Sequence, residues 1–120
     1  MNSLNIDFKK KSAKGRLSIK LFKNDSFWIG YIPSLNISSY AETYEEAHEF
    51  LLSVYLKEYL QNAFNSPSQA IEELKSLGWE RNSIFKKKFT VESYVDKDGF
   101  LKEFDLPIGT EVTDSEIFVG

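Results

Sequence analysis

The chain lacks several residue types on which common functional sites depend. Its 120 residues include no cysteine and only one histidine. The absence of cysteine excludes disulfides and thiolate metal sites, and it fits a reducing, cytoplasmic location. No apolar run approaches the roughly 20 residues that a membrane-spanning helix needs. The first residues also have the reverse order of a secretory signal, because their charges follow the few apolar side chains. We therefore expect a cytoplasmic protein that makes no membrane contact.

The composition is that of a folded domain with an uneven charge. Hydrophobic residues make up 42% of the chain and aromatic residues 15%, which is enough to build a core. The net charge is −3, but residues 1–40 carry seven Lys or Arg against two acidic residues, and residues 41–80 carry two against eight. A weak overall charge argues against nonspecific nucleic-acid binding. A local basic patch remains compatible with it.

The order of apolar and polar residues predicts an α+β fold in three segments. Residues 1–14 are polar and rich in lysine without a period, which indicates a flexible basic arm. Residues 15–80 alternate first with period two and then with helical spacing, which predicts three antiparallel strands, a helix packed on one face of the sheet, and a second short helix. Residues 81–120 return to period two, and Asp98-Gly99 predicts a C-terminal β-hairpin. We expect this last segment to belong to the same domain.

Thr43 marks the start of the main helix. Glu46 lies three residues later, so the two side chains form the pattern of a capping box. One apolar stripe at helical spacing should face the sheet, and it comprises Tyr44, Ala47, Leu51, Val54 and Tyr55. A second stripe of Leu52, Leu56 and Leu60 needs another cover, either the second helix or a partner chain.

Residues 17–60 resemble the HicB family of bacterial antitoxins. The resemblance rests on Phe27-Trp28-Ile29-Gly30-Tyr31-Ile32-Pro33 and on Tyr40-Ala41-Glu42-Thr43-Tyr44-Glu45-Glu46-Ala47. It implies a truncated RNase H-like unit of three strands and a helix. It also implies an antitoxin that neutralises a small basic HicA-like RNase toxin by covering the toxin's active histidine, and that often forms homo-oligomers. No segment after Gly78 resembles the DNA-binding helix-turn-helix or ribbon-helix-helix of many family members.

The C-terminal part is similar to short β-rich antitoxin modules of the AbrB type. The similarity rests on Tyr94-Val95-Asp96, Asp98-Gly99-Phe100-Leu101, Asp105-Leu106-Pro107 and Gly109-Thr110-Glu111-Val112. Ordinary hairpins produce the same pattern, because turn chemistry alone selects these glycines and the proline.

No set of residues indicates catalysis, a cofactor or a metal. His48 borders the buried helix face and has no nucleophile at a suitable spacing. The first two strands of the HicB-like unit carry no carboxylates that would converge on metal ions, as a two-metal nuclease requires. We therefore expect a binding protein and not an enzyme.

Two groups of side chains are candidates for partner binding. Trp28 and Tyr31 lie on opposite faces of one strand, so one belongs to the core and the other is a candidate interface anchor. The acidic middle third suits a basic protein partner. Its candidate contact residues are Glu42, Glu45, Glu46 and Glu49.

The lysine runs provide the alternative function, a stand-alone nucleic-acid-binding regulator. Lys86, Lys87 and Lys88 are the candidate contacts to DNA or RNA. Solvated lysines that discourage edge pairing of a sheet would produce the same run.

Overall fold

A computed structural model of the chain describes residues 2–92, 101–107 and 109–120. It confirms the α+β class: one open antiparallel sheet carries a 22-residue helix and a second short helix. The strands are β1 (Asn2–Asp7), β2 (Ser12–Asn24), β3 (Phe27–Ile32), β4 (Ile37–Ala41), β5 (Glu80–Arg81), β6 (Lys88–Val91) and β7 (Val112–Val119). The long helix consists of α1 (Tyr44–Phe50), a π-helical segment (Leu51–Leu56) and α2 (Lys57–Asn65), and α3 (Pro67–Ser76) follows.

Strand β2 is the centre of the sheet. Strand β7 pairs with its residues 15–22 along one edge. The other edge is shared, because β1 pairs with residues 12–16 and β3 with residues 20–24. Strand β4 extends the sheet beyond β3, and strands β6 and β5 extend it beyond β1.

A buried polar network fills the gap between β1 and β3. Residues 17–19 of β2 pair with neither strand on that edge. There the side-chain Oδ1 of Asn2 accepts a hydrogen bond from the Ser18 amide at 2.7 Å and a longer one from the Ser34 hydroxyl at 3.4 Å. The Ser34 carbonyl accepts a bond from the Trp79 indole at 2.8 Å. Side chains thus provide the hydrogen-bond partners that a paired strand would otherwise supply.

The sheet has a core on each face. On the helix side, alternate residues of β2 (Leu17, Ile19 and Leu21) are fully buried with Ala47 and Leu51 of the long helix. On the other side is a smaller cluster of Phe22, Ile29, Tyr31 and Leu101, with Phe104 packed against it. Residues 101–107 therefore cover one end of the outer face.

The helix lies directly on the sheet at Gly30. A Cβ atom there would lie 2.8 Å from the Ser39 Oγ atom and 3.1 Å from the Ala47 carbonyl oxygen. The Ser39 hydroxyl donates a 2.7 Å hydrogen bond to that same carbonyl from its buried position on β4. Strands β3 and β4 and helix α1 are thus held at a distance that only glycine permits.

The prediction of a flexible arm over residues 1–14 was wrong. Most of this segment forms β1 and the start of β2, and Leu4 and Ile6 are 0% and 1% exposed. Two alternating apolar residues give too weak a local signal. The strand that contains them is held in place by pairing with β2 on one side and with β6, which is distant in sequence, on the other.

The helix buries the predicted stripe as far as Leu51 but not its last two residues. Val54 and Tyr55 are 46% and 43% exposed, whereas Leu56 is 5% exposed. The π-helical segment explains the difference, because its wider turn rotates the following residues relative to an ideal helix. Leu52 and Leu60, expected to need a cover, are half-buried against the main core.

The predicted C-terminal hairpin lacks its return strand within the described residues. Strand β6 pairs with β1 and β5, and β7 pairs with β2. Residues 101–103 form a helical turn where a return strand was expected, because the fully buried Leu101 packs on the outer face of the sheet. The predicted turn at Asp98-Gly99 lies outside the described residues.

We predict that Gly30→Ala destabilises the fold by about 1–3 kcal/mol, because the new methyl group must displace packed neighbours. Urea unfolding measures the change. Ser38→Ala, on the opposite face of the adjacent strand, is the control and should alter stability by less than about 0.5 kcal/mol. Equal effects of the two substitutions would contradict the close approach of helix and sheet.

We also predict that Asn2→Ala lowers the free energy of unfolding by about 1–3 kcal/mol, because it removes the acceptor of the part-buried Ser18 amide. Hydrogen exchange should show faster loss of the Ser18 amide proton. Asn5→Ala changes an exposed residue of the same strand and should leave that proton protected. Unchanged Ser18 protection in Asn2→Ala would show that the amide has another acceptor.

Candidate binding surfaces

The four candidate glutamates lie at the start of the long helix and are exposed. The Thr43 hydroxyl caps this helix: it accepts a hydrogen bond from the Glu46 amide and donates one to the Glu46 carboxylate, both at 3.2 Å. Glu45 and Glu46 occupy the first turn, where the helix dipole favours negative charge. Glu42 and Glu49 are exposed beside them. The predicted helix start at Thr43 is confirmed, but the Glu46 carboxylate bonds the Thr43 hydroxyl and not the Thr43 backbone amide that a full capping box uses.

Exposed apolar side chains continue this surface along the helix. Phe50 is 38% exposed and Val54 is 46% exposed. Phe50 lies four residues after Glu46, so the two are neighbours on the helix surface. We call Glu42, Glu45, Glu46, Glu49, Phe50 and Val54 the acidic ridge. Within the described part of the chain, no ion pair involves its glutamates.

Trp28 and Tyr31 each pack against one of the two cores of the sheet. The partly buried Trp28 packs edge-to-face on Tyr44 of α1, with ring centroids 5.4 Å apart. Tyr31 is 8% exposed and packs in the same manner on Phe104 at 5.1 Å. Burial raises the pKa of Tyr31, and the nearby Glu103 adds to the effect. Neither aromatic residue is the exposed anchor that the sequence suggested.

The structure brings the lysine run at residues 86–88 close to a second lysine run at residues 9–11. The Ile6 amide donates a 2.8 Å hydrogen bond to the Lys87 carbonyl, so residues 86–88 run beside the end of β1. The Asp7 carboxylate accepts one bond from the Lys10 amide and another from the Lys87 ammonium group, both at 3.0 Å. The Lys10 bond first, and then Lys87, hold the pKa of Asp7 below its usual value. Lys9, Lys10 and Lys11, in the turn between β1 and β2, thus lie near Lys86, Lys87 and Lys88.

The outer face of the sheet next to these runs carries cations that sequence reasoning missed. Cross-strand register aligns Lys88, Asn5 and Lys14 in one row across β6, β1 and β2. The next row, which continues onto β7, contains Thr90, Ser3, Arg16 and Phe118. We call these two rows the open sheet face. It lines a shallow depression of about 610 Å³.

Phe118 is the most unusual residue of the open sheet face. Its side chain is 76% exposed, although it lies within a regular strand. The Arg16 guanidinium carbon is 5.2 Å from the ring centroid, and Arg16 Nε is 2.6 Å from a carboxylate oxygen of Glu116. Arg16 therefore has contacts on both sides that fix it beside the exposed ring.

The described residues do not assemble a metal site. They contain no group of three or more His, Cys, Asp or Glu side chains that could hold a metal ion. His48 is half-buried at the edge of the helix face. In the same part of the chain, no helix has the length and apolar character needed to cross a membrane.

Comparisons with protein-family models, curated proteins and solved structures found no match to this chain. The resemblance to HicB therefore rests on the residues quoted for it.

One buried polar atom has no partner within the described part of the chain, the hydroxyl of Tyr59 on α2. Burial, followed by the charge of Glu73, raises the pKa of Tyr59 to about 12. An unfolded tyrosine ionises near pH 10. The unfolded state therefore loses the proton first, and Tyr59 should favour unfolding as the pH rises from about 10 to about 12.

We predict that Tyr59→Phe leaves stability at neutral pH unchanged or raises it by up to about 1 kcal/mol, because no hydrogen bond is lost. The variant should also lose less stability than the parent between about pH 10 and pH 12. Thermal unfolding across this range measures both effects. Tyr55→Phe, at a position 43% exposed, is the control for the loss of a tyrosine hydroxyl and should leave stability at neutral pH unchanged. A clear loss of neutral stability in Tyr59→Phe would reveal a partner for the hydroxyl.

Proposed function

We propose that the chain is a non-enzymatic, antitoxin-like protein that neutralises a small basic HicA-like RNase by direct contact through the acidic ridge. The observation that carries this proposal is the exposure of Glu45, Glu46 and Glu49 beside Phe50 and Val54 on one helix surface. The sequence resemblance to HicB gives the class of partner.

The ridge combines the two features that a basic partner requires. Its carboxylates make no ion pairs within the described residues, so they are available to cations of another molecule. Complementary charge accelerates encounter and selects the partner. Phe50 and Val54 supply apolar area, and an exposed aromatic side chain is a common anchor of a protein interface.

The long helix can present this surface without rearrangement. Its sheet-facing residues, Ala47 and Leu51, are fully buried, whereas the ridge residues lie on its outward side. A partner would therefore dock on a rigid element whose position is set by the packing at Gly30. A rigid surface loses little conformational entropy on binding.

The experiment uses the small basic protein encoded by the reading frame next to the chain's own gene. We predict that Glu45→Lys/Glu49→Lys weakens its binding about tenfold or more in calorimetry, because two attractions become repulsions. The same variant should fail to restore growth of cells that express the toxin.

The matched control is Glu72→Lys/Glu111→Lys, which reverses two exposed charges away from the ridge. It should bind as the parent does. Thermal unfolding checks both variants, since a lysine in the first helical turn costs about 0.3–1 kcal/mol. The proposal fails if no small basic protein is encoded there, or if ridge and control variants bind equally well.

A further inference from the structure

We propose that the open sheet face binds single-stranded nucleic acid, with phosphates at Lys14 and Lys88 and an unpaired base stacked on Phe118. This site lies on the sheet face opposite the helices and is independent of the acidic ridge.

The two ends of the outer face have opposite character. At one end, residues 101–107 cover Phe22 and Tyr31 and form a small core. At the other end, the same face carries Lys14 and Lys88, both exposed. The described residues include no segment that covers this end, and its polar and cationic side chains are those of a surface in contact with water or a charged ligand.

The cations form a track of suitable size. The rows run across β6, β1, β2 and β7, which spans about 14 Å at a strand spacing of about 4.8 Å. The lysine runs extend the track beyond the end of β1. Asp7 and Glu116 neutralise Lys87 and Arg16, but no ion pair within the described residues involves Lys14 or Lys88. These lysines lie on inner strands of the sheet, so protection of a sheet edge does not explain them.

Phe118 favours nucleic acid over other polyanions. An exposed aromatic ring beside cations on an open sheet face can stack an unpaired base while the cations hold the phosphates. Arg16 lies against the ring, at 5.2 Å from its centroid, and so limits its movement. Phosphate contacts alone would not require this ring. A duplex keeps its bases stacked inside, and the described part of this face offers no projecting helix that could enter the major groove.

Fluorescence anisotropy tests the proposal with the full chain and labelled oligomers of about 12 nucleotides. The probes are oligo-U, oligo-dU and a duplex of equal length, each at roughly 50 and 200 mM salt. We expect both single strands, or one of them, to bind more tightly than the duplex. Binding of oligo-U alone would mean that the 2′-hydroxyl is recognised, whereas equal binding of both would mean that the backbone and base suffice.

Two variants and their controls locate the site. Phe118→Ala should weaken single-strand binding by roughly 5- to 100-fold, whereas Tyr40→Ala, which removes a 59% exposed aromatic ring from β4, should not. Lys14→Gln/Lys88→Gln should reduce the slope of log affinity against log salt by about 1.4, at about 0.7 for each phosphate contact. Lys23→Gln/Lys75→Gln, which removes two exposed lysines outside the open sheet face, should leave the slope unchanged.

Three results would overturn the proposal. They are no binding of either single strand at the lower salt concentration, duplex binding as tight as single-strand binding, and retention of full affinity by Phe118→Ala and Lys14→Gln/Lys88→Gln. None of them bears on the acidic ridge, because the ridge variants and the toxin-binding measurement concern the opposite side of the molecule.

Discussion

Strand β2 sets the alternation of side chains for the whole sheet, because every other strand pairs with it directly or through a series of neighbouring strands. Its odd positions from Leu17 to Leu21 are buried on the helix side, where they form the main core. Its even positions change character along the strand, from Lys14 and Arg16 to the buried Phe22. One strand therefore divides the outer face into an exposed cationic end and an apolar end that residues 101–107 cover. Since side-chain direction alternates with period two, a one-residue slip would exchange the two faces.

Local signals predicted the elements whose stabilising contacts are close in sequence. Thr43 and Glu46 cap the long helix, and the alternation of β2 is long enough to be read directly. Strand β1 was missed because Leu4 and Ile6 acquire their role through pairing with β6, more than 80 residues away. The π-helical segment was missed for another reason: an apolar stripe predicts a face only if the helical turn keeps its ideal width. Such a segment leaves no simple mark in the residue types.

The two candidate surfaces also differ in how far the sequence could predict them. The glutamates of the acidic ridge are close in sequence, so their clustering at a helix start was predictable. On the open sheet face, sequence reasoning identified Lys88 but not Lys14, Arg16 or Phe118. These residues meet only through the register of β2 with β1 and β7, which joins positions about 100 apart in the chain. The one local signal was the short apolar stretch Ile117-Phe118-Val119, which by itself indicates only a strand.

The acidic and basic parts of the sequence lie on different layers of the fold. Carboxylates dominate the exposed start of the long helix, and cations dominate the open sheet face. Surface charges separated by more than about 8–10 Å are largely screened at physiological salt, so each surface acts mainly on what touches it.

The outer edge of β7 offers another mode of association, since no strand among the described residues pairs with it. Addition of a strand there would use backbone groups lying in the plane of the sheet. The ring of Phe118 points out of that plane and would stay exposed after such pairing. Association through the edge of β7 therefore does not explain why this ring is exposed, whereas stacking of a base does.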